Sequence, residues 1–148
     1  MRIETSRFGN VDVDEARTIR FPKGLLGFPS FTEYVLLEAG DESYFWWLQS
    51  TQSADLAFVV TDPSMFVPTY KVPVREPQLA ELGAASPDEV QVFVIVNKRD
   101  NMLTGNLQGP LVVSVRERVG EQLVLSDRRF TTRVPLMELA SKVRAASA

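Results

Sequence analysis

The chain contains no cysteine and no histidine. Without cysteine there is no disulfide framework and no thiolate nucleophile. Without imidazole, neither a Ser-His-Asp nor a Cys-His arrangement can be assembled, and the usual Cys/His zinc sites are excluded. Any catalysis would fall to carboxylates, lysine, tyrosine or an oxygen-ligated metal, and no cofactor is expected. No apolar run approaches the roughly 20 residues that cross a bilayer as a helix. The start, Met1-Arg2-Ile3-Glu4-Thr5, lacks the basic stretch and apolar core of a signal peptide. A cytoplasmic protein without membrane contact is expected. Internal repeats and low-complexity stretches are also missing.

The chain does have the length and composition of one globular domain. Its 148 residues are 45% hydrophobic and 24% charged, enough to bury a core without a metal or disulfide staple. The formal charge of −3 is unevenly spread. Residues 1–115 carry 9 Lys and Arg against 15 Asp and Glu, a net −6; residues 116–148 carry 7 against 4, a net +3. An acidic body argues against direct nucleic-acid binding, which rests on neutralising phosphates. The basic residues after position 115 read as solvated strand faces and helix ends.

Short runs rich in Val, Phe, Leu and Ile alternate with Gly, Pro, Asp and Ser, the pattern of many short strands and turns. Strands are predicted at 35–37, 45–49, 56–60, 90–96, 111–115 and 122–125, with weaker ones at 2–5, 9–13 and 16–21. Several runs are apolar at every position, as in strands buried on both faces. Residues 116–121, with Gly120, read as a hairpin turn. Pro77 near a start and Gly83 past an end bracket a short helix that shares Leu79 and Leu82 on one face. Residues 86–89 read as a turn. Leu136, Leu139, Ala140 and Val143 recur at helical spacing, so residues 135–146 are predicted as a C-terminal helix. The resulting fold is mainly β: a compact, antiparallel, β-barrel-like single domain over 1–134, one short internal helix, and a helical extension over 135–148.

Chemical motifs are weak. Asp12 and Asp14 share a strand face and Asp41 adjoins Glu42, but no second signal accompanies either pair, and exposed acids are the ordinary case. Lys23, Gly24 and Gly27 lie close together, yet the order differs from a phosphate-binding loop, in which Lys follows the second Gly and opens a helix. A turn tucking apolar residues into the core fits better. Phe45, Trp46 and Trp47 are consecutive, so one tryptophan faces away from the other; one belongs to the core and the other is a surface anchor. Residues 61–70 hold two prolines, Met65, Phe66 and Tyr70 in a loop pinned at both ends, a recognition surface or a core cap. The candidate partner-binding residues are Asp41, Glu42, Trp46, Phe66, Pro68 and Tyr70.

Five segments, in order, carry a resemblance: Arg2-Ile3-Glu4-Thr5 with Phe8-Gly9; residues 19–28, Ile-Arg-Phe-Pro-Lys-Gly-Leu-Leu-Gly-Phe; Trp47-Leu48-Gln49-Ser50; residues 55–63, Asp-Leu-Ala-Phe-Val-Val-Thr-Asp-Pro; and residues 104–113, Thr-Gly-Asn-Leu-Gln-Gly-Pro-Leu-Val-Val. Over residues 1–135 the chain resembles the FliW family of flagellar assembly factors. The resemblance implies an antiparallel, barrel-like fold and a non-enzymatic protein. It further implies two partners: the RNA-binding translational regulator CsrA, kept from repressing flagellin mRNA, and flagellin, whose accumulation frees CsrA. A monomer is expected. Other readings stay open: a flagellin chaperone without CsrA coupling, or an unrelated protein-binding β-barrel module. An oligonucleotide-binding barrel is disfavoured by charge. A carboxylate metalloenzyme would need a converging acidic cluster.

Overall fold

The computed structural model describes residues 1–38 and 44–139. An N-terminal hairpin, β1 (Arg2–Thr5) with β2 (Gly9–Asp12), forms a separate two-stranded ribbon. One nine-stranded sheet holds β3 (Ile19–Arg20), β4 (Glu33–Glu38), β5 (Phe45–Ser50), β6 (Ala57–Thr61), β7 (Val90–Arg99), β8 (Met102–Gly105), β9 (Leu111–Ser114), β10 (Gly120–Gln122) and β11 (Val134–Glu138). Its main path runs β10-β9-β7-β6-β5-β4-β3, while β8 pairs with β7 and β11 with β8. Every ladder is antiparallel. The sheet curls until its ends touch, where the Arg20 N–H donates to the Arg118 carbonyl at 2.9 Å beside a parallel bridge to Val119. The protein is thus mainly β, a curled antiparallel half-barrel in one domain, as the sequence pattern predicts.

The curl explains the uninterrupted apolar runs. Ile19, Phe21, Tyr34, Leu48, Val60, Leu111 and Val113 form the inner core. On the outer face, Val112 packs with Leu82 and Leu123 beneath helix α1 (Glu76–Leu82). Strand β9 is therefore buried at all four positions, the signature of a strand covered on both sides. A second outer cluster joins Tyr70, Val94 and Leu107 with Val134 and Leu136. Helix α1 has Pro77 in its first turn and ends at Gly83 in the left-handed conformation, with Leu79 and Leu82 buried. These are the limits that its sequence signals predict.

Two glycines fill roles of different kinds. Gly24 sits at φ 68, and a Cβ there would lie 2.5 Å from the Phe28 carbonyl oxygen. Only glycine satisfies both demands, and the turn it makes drives Phe21 and Leu25 into the core while Leu26 stays exposed. Gly120 is not the turn residue of the β9–β10 hairpin. Arg118 takes the left-handed conformation at φ 57. Gly120 lies buried in β10, where a Cβ would meet the Phe21 ring at 2.5 Å.

The C-terminal helix is a correction. Val134–Glu138 is strand β11, paired antiparallel with β8 through an irregularity between Pro135 and Met137. Val134 and Leu136 turn towards the outer cluster, while Pro135 and Met137 are exposed. This period of two wins because β8 offers an open edge and the cluster a place for Leu136, so tertiary pairing overrides the helical spacing. A boundary at residue 134 falls inside this strand, and residues 140–146 of the predicted helix lie outside the described residues. Sequence reading also misses β8, a four-residue hairpin return whose turn places Asp100 at φ 53. It sets β10 too late, since the ladder ends at Gln122. Residues 87–89, read as a turn, make a single 3-10 turn.

Candidate protein-binding surface

Strand β5 divides its aromatics between two faces, because successive side chains alternate. Trp46 and Leu48 turn inward. Trp46 meets Phe93 edge-on at 6.1 Å and packs on the inner core. Phe45 and Trp47 turn outward beside Thr61 and Val59 of β6 and Leu37 of β4. Both outward rings are half-buried, as is the inward Trp46.

Two loops extend this outer pair into a row of rings. At one end the β1–β2 turn carries Arg7 and Phe8. Thr5 Oγ1 donates to the Gly9 carbonyl at 2.9 Å and accepts from the Phe8 N–H at 2.8 Å. The Ser6 N–H donates to the Ala54 carbonyl at 3.0 Å, and the Ser6 hydroxyl bonds Asp55. So held, Phe8 lies edge-on to Trp47 at 6.4 Å and the Arg7 guanidinium sits 4.3 Å above the indole ring. That arrangement supplies a cation–π contact. At the other end, Asp62 caps a single 3-10 turn, accepting from the Ser64 N–H at 2.9 Å. The turn delivers Phe66, which stacks on Phe45 at 5.9 Å and meets Tyr44 at 6.3 Å. Phe8 is 43% and Tyr44 44% exposed.

Gln49 underpins the row. Its side chain is fully buried, and its amide nitrogen lies within 3.3 Å of the carbonyls of Ser50, Ser53, Ala54 and Leu56. Ser50 Oγ accepts from the Gln52 and Ser53 N–H groups at 3.0 Å each. Together they shape the 50–56 turn that anchors Ser6 and hence Phe8. The four positions of Trp47-Leu48-Gln49-Ser50 thus act differently. Trp47 offers a ring, Leu48 fills the core, Gln49 binds carbonyls and Ser50 forms the turn.

The predicted contact residues are not gathered in one place. Phe66 is half-buried within the aromatic row, and Pro68 is exposed farther along the same loop. Asp41 and Glu42 lie outside the described residues. Trp46 belongs to the inner face and packs on the core, so Trp47 is the outward tryptophan. Tyr70 is buried, with its hydroxyl donating to the Leu107 carbonyl at 2.7 Å and its ring edge-on to Phe130 at 4.8 Å. Burial pushes its phenol well above the usual range. It anchors the loop and presents no ring to a partner. The candidate residues read from the sequence leave out Arg7, Phe8, Tyr44 and Phe45, and of the two tryptophans, one of them read as a surface anchor, they take Trp46 instead of Trp47. The alternation of β5 pairs Phe45 with Trp47, but their direction depends on the curl, and Phe8 reaches Trp47 only through the tertiary fold.

The acidic groups of the described residues form no reactive constellation. Among the described residues, no cluster of three or more His, Cys, Asp or Glu could hold a metal. Asp14 accepts from the Ala16 N–H at 2.9 Å, and Asp12 faces Arg2 at 3.8 Å. Glu81 and Glu121 converge, but Lys23 bridges them at 3.1 and 2.5 Å. Hydrogen bonding to Glu121 and Glu81 raises the Lys23 ammonium, and Lys23 in turn holds the Glu81 carboxyl below its ordinary range. This clasp ties the 21–28 turn to α1 and β10. Among the described residues, no helix is long and apolar enough to cross a membrane.

The sequence model of the family described as FliW protein matches residues 2–136. The flagellar assembly factor FliW of Leptospira biflexa is 39% identical over 139 residues, spanning 92% of this chain and 91% of that protein. The flagellar assembly factor FliW of Alkaliphilus metalliredigens is 32% identical over 147 residues, spanning 97% and 91%. A crystal structure of the flagellar assembly factor FliW matches with a TM-score of 0.84 at 31% identity, over 93% of this chain and 97% of that one. Matched in sequence and in fold over nearly its whole length, the chain belongs to the FliW family of flagellar assembly factors.

Proposed function

We propose that this chain works in the cytoplasm by holding other proteins, making and breaking no covalent bond. It binds a CsrA-type translational regulator and flagellin in a partner switch. Held by this chain, the regulator does not repress flagellin mRNA. Accumulating flagellin occupies the chain and frees the regulator. Because each partner weakens the other, the coupling is reciprocal.

The observation that carries this reading is the row of half-exposed rings on the outer face of β5. Tyr44, Phe45, Trp47 and Phe66 with Phe8 and Arg7 are residue types enriched in protein interfaces, Trp, Tyr and Arg at their hot spots above all, and the turns beneath them are hydrogen-bonded into place. A pre-formed surface loses less ordering entropy on binding. The acidic balance of residues 1–115 suits a regulator whose RNA-binding role calls for basic surface.

The test is calorimetric titration of the protein with CsrA from the same organism, repeated after saturation with flagellin. Tight binding that flagellin abolishes is expected. Flagellin binding without CsrA binding would reduce the function to chaperoning. Absence of both would overturn the reading.

A further inference from the structure

Beyond β10 the chain stays extended but its outer edge is unpaired. The Leu123 N–H donates to the Pro110 carbonyl at 2.9 Å and the Leu125 N–H to the Gln108 carbonyl at 2.8 Å. Alternate residues of an extended strand turn their backbone groups to opposite edges. Val124 and Ser126 therefore direct theirs away from residues 108–110, and among the described residues nothing bonds them. The half-barrel closes at Arg20 and Val119, on the other side of Gln122 from this segment, so β3 does not cover it. Val124 is 66% exposed.

A groove of about 340 Å³ runs along this edge. Its opposite wall is the loop segment carrying Lys71, Pro73 and Arg75, and Phe130 also lines it. Both cations are exposed and, among the described residues, neither joins an ion pair. The acid in the groove, Asp127, is already held by Arg129 at 2.7 Å, which keeps its carboxyl below the ordinary range. The groove is thus cationic in a chain whose first 115 residues are net acidic.

We propose that this groove takes an extended acidic segment of a partner protein, added as a strand to the edge at Val124 and Ser126. Main-chain hydrogen bonds supply affinity in such strand addition. Lys71 and Arg75 select carboxylates on the incoming strand. This site is separate from the aromatic row, and its test does not depend on the identity of the partners proposed above.

The probe is a capped heptapeptide alternating valine and threonine with a glutamate at each end, titrated into the isotope-labelled protein and followed by amide NMR. Shifts confined to Val124, Ser126 and the groove are expected. Methylating the alternate peptide nitrogens that face the edge should weaken binding roughly tenfold or more. Val124→Pro should do the same, since it removes an N–H with no internal partner. Lys71→Glu with Arg75→Glu should reverse the preference towards a lysine-ended peptide. If no amide shifts occur at about 1 mM peptide, a level that detects even millimolar affinity, the proposal falls and Lys71, Pro73 and Arg75 are guards of an edge. Binding unchanged by peptide methylation would overturn it equally, whatever the variants do.

Discussion

Trp46 and Trp47 are neighbours on one strand and face opposite worlds. Trp46 sits on the concave side, fitted against Phe93 and the inner core. Trp47 sits on the convex side between Phe8 and Arg7. The inner ring is held by apolar packing and serves the fold. The outer ring is held by polar turns, through Thr5, Ser6, Gln49 and Ser50, and remains available. A single alternating strand thereby separates a ring packed into the core from a ring set in the surface row.

Truncation should expose the contrast. Trp46→Ala is expected to cost about 3 kcal/mol of stability, the low end for truncating an aromatic ring, since Trp46 is half-buried against the core, read as a lower urea midpoint. Trp47→Ala should cost about 1 kcal/mol or less: both tryptophans are half-buried, but Trp47 packs on Phe8 and Arg7 of an exposed turn and Trp46 on the core. If the two variants lose equal stability, the contrast between the faces fails.

Gln49→Leu comes next. It strips the amide from several carbonyls at once and should cost about 2 kcal/mol, the scale of leaving buried groups unpaired. It should also loosen Phe8, visible as lost chemical-shift coupling between the β1–β2 turn and Trp47. A stable variant with the turn unmoved would show that polar turns do not hold the row.

Two buried tyrosines sharpen the same division at smaller scale. Tyr70→Phe leaves the Leu107 carbonyl without its donor and should cost about 1 kcal/mol. Among the described residues the Tyr34 hydroxyl has no hydrogen-bond partner, so Tyr34→Phe should be neutral near pH 7. Burial pushes the Tyr34 phenol up to about 12, from an ordinary value of 10.0. The folded state thus holds the phenolic proton more tightly than the unfolded state. The corresponding stability is complete below pH 10 and is lost as pH rises from 10 towards 12. Thermal melts across that range should show a shallower alkaline decline in Tyr34→Phe than in the parent.

A small effect belongs to the Lys23 clasp, in which Lys23 and Glu81 lie at the surface and the Glu121 side chain is largely covered. Because Glu81 is held below its ordinary 4.5, the clasp contributes above that pH and fades as pH falls through the lowered value. Lys23→Met should lower the urea midpoint slightly at pH 7, by less than Tyr70→Phe, and by a shrinking amount as pH falls below 4.5.

Much of this fold is legible in the residues themselves. Pro77 and Gly83 frame α1, and the unbroken apolar run at 111–113 announces a strand covered on both sides. The failures are tertiary. Residues 134–138 satisfy helix and strand patterns alike, and only the open edge of β8 decides between them. Gly120 looks like a turn glycine because sequence does not show the Phe21 ring pressed against it. The site is half legible. Phe66 emerges from a proline-pinned loop, whereas Trp46 stands out ahead of Trp47 because a run of three aromatics does not disclose which side is concave.

The most direct measurement is the affinity of Trp47→Ala for flagellin, taken beside its urea midpoint. Roughly a 30-fold or greater loss of affinity is expected, the scale of a hot-spot residue, with the midpoint nearly unchanged. Full affinity in a folded Trp47→Ala would contradict the claim that the outer face of β5 is where this chain holds its partner.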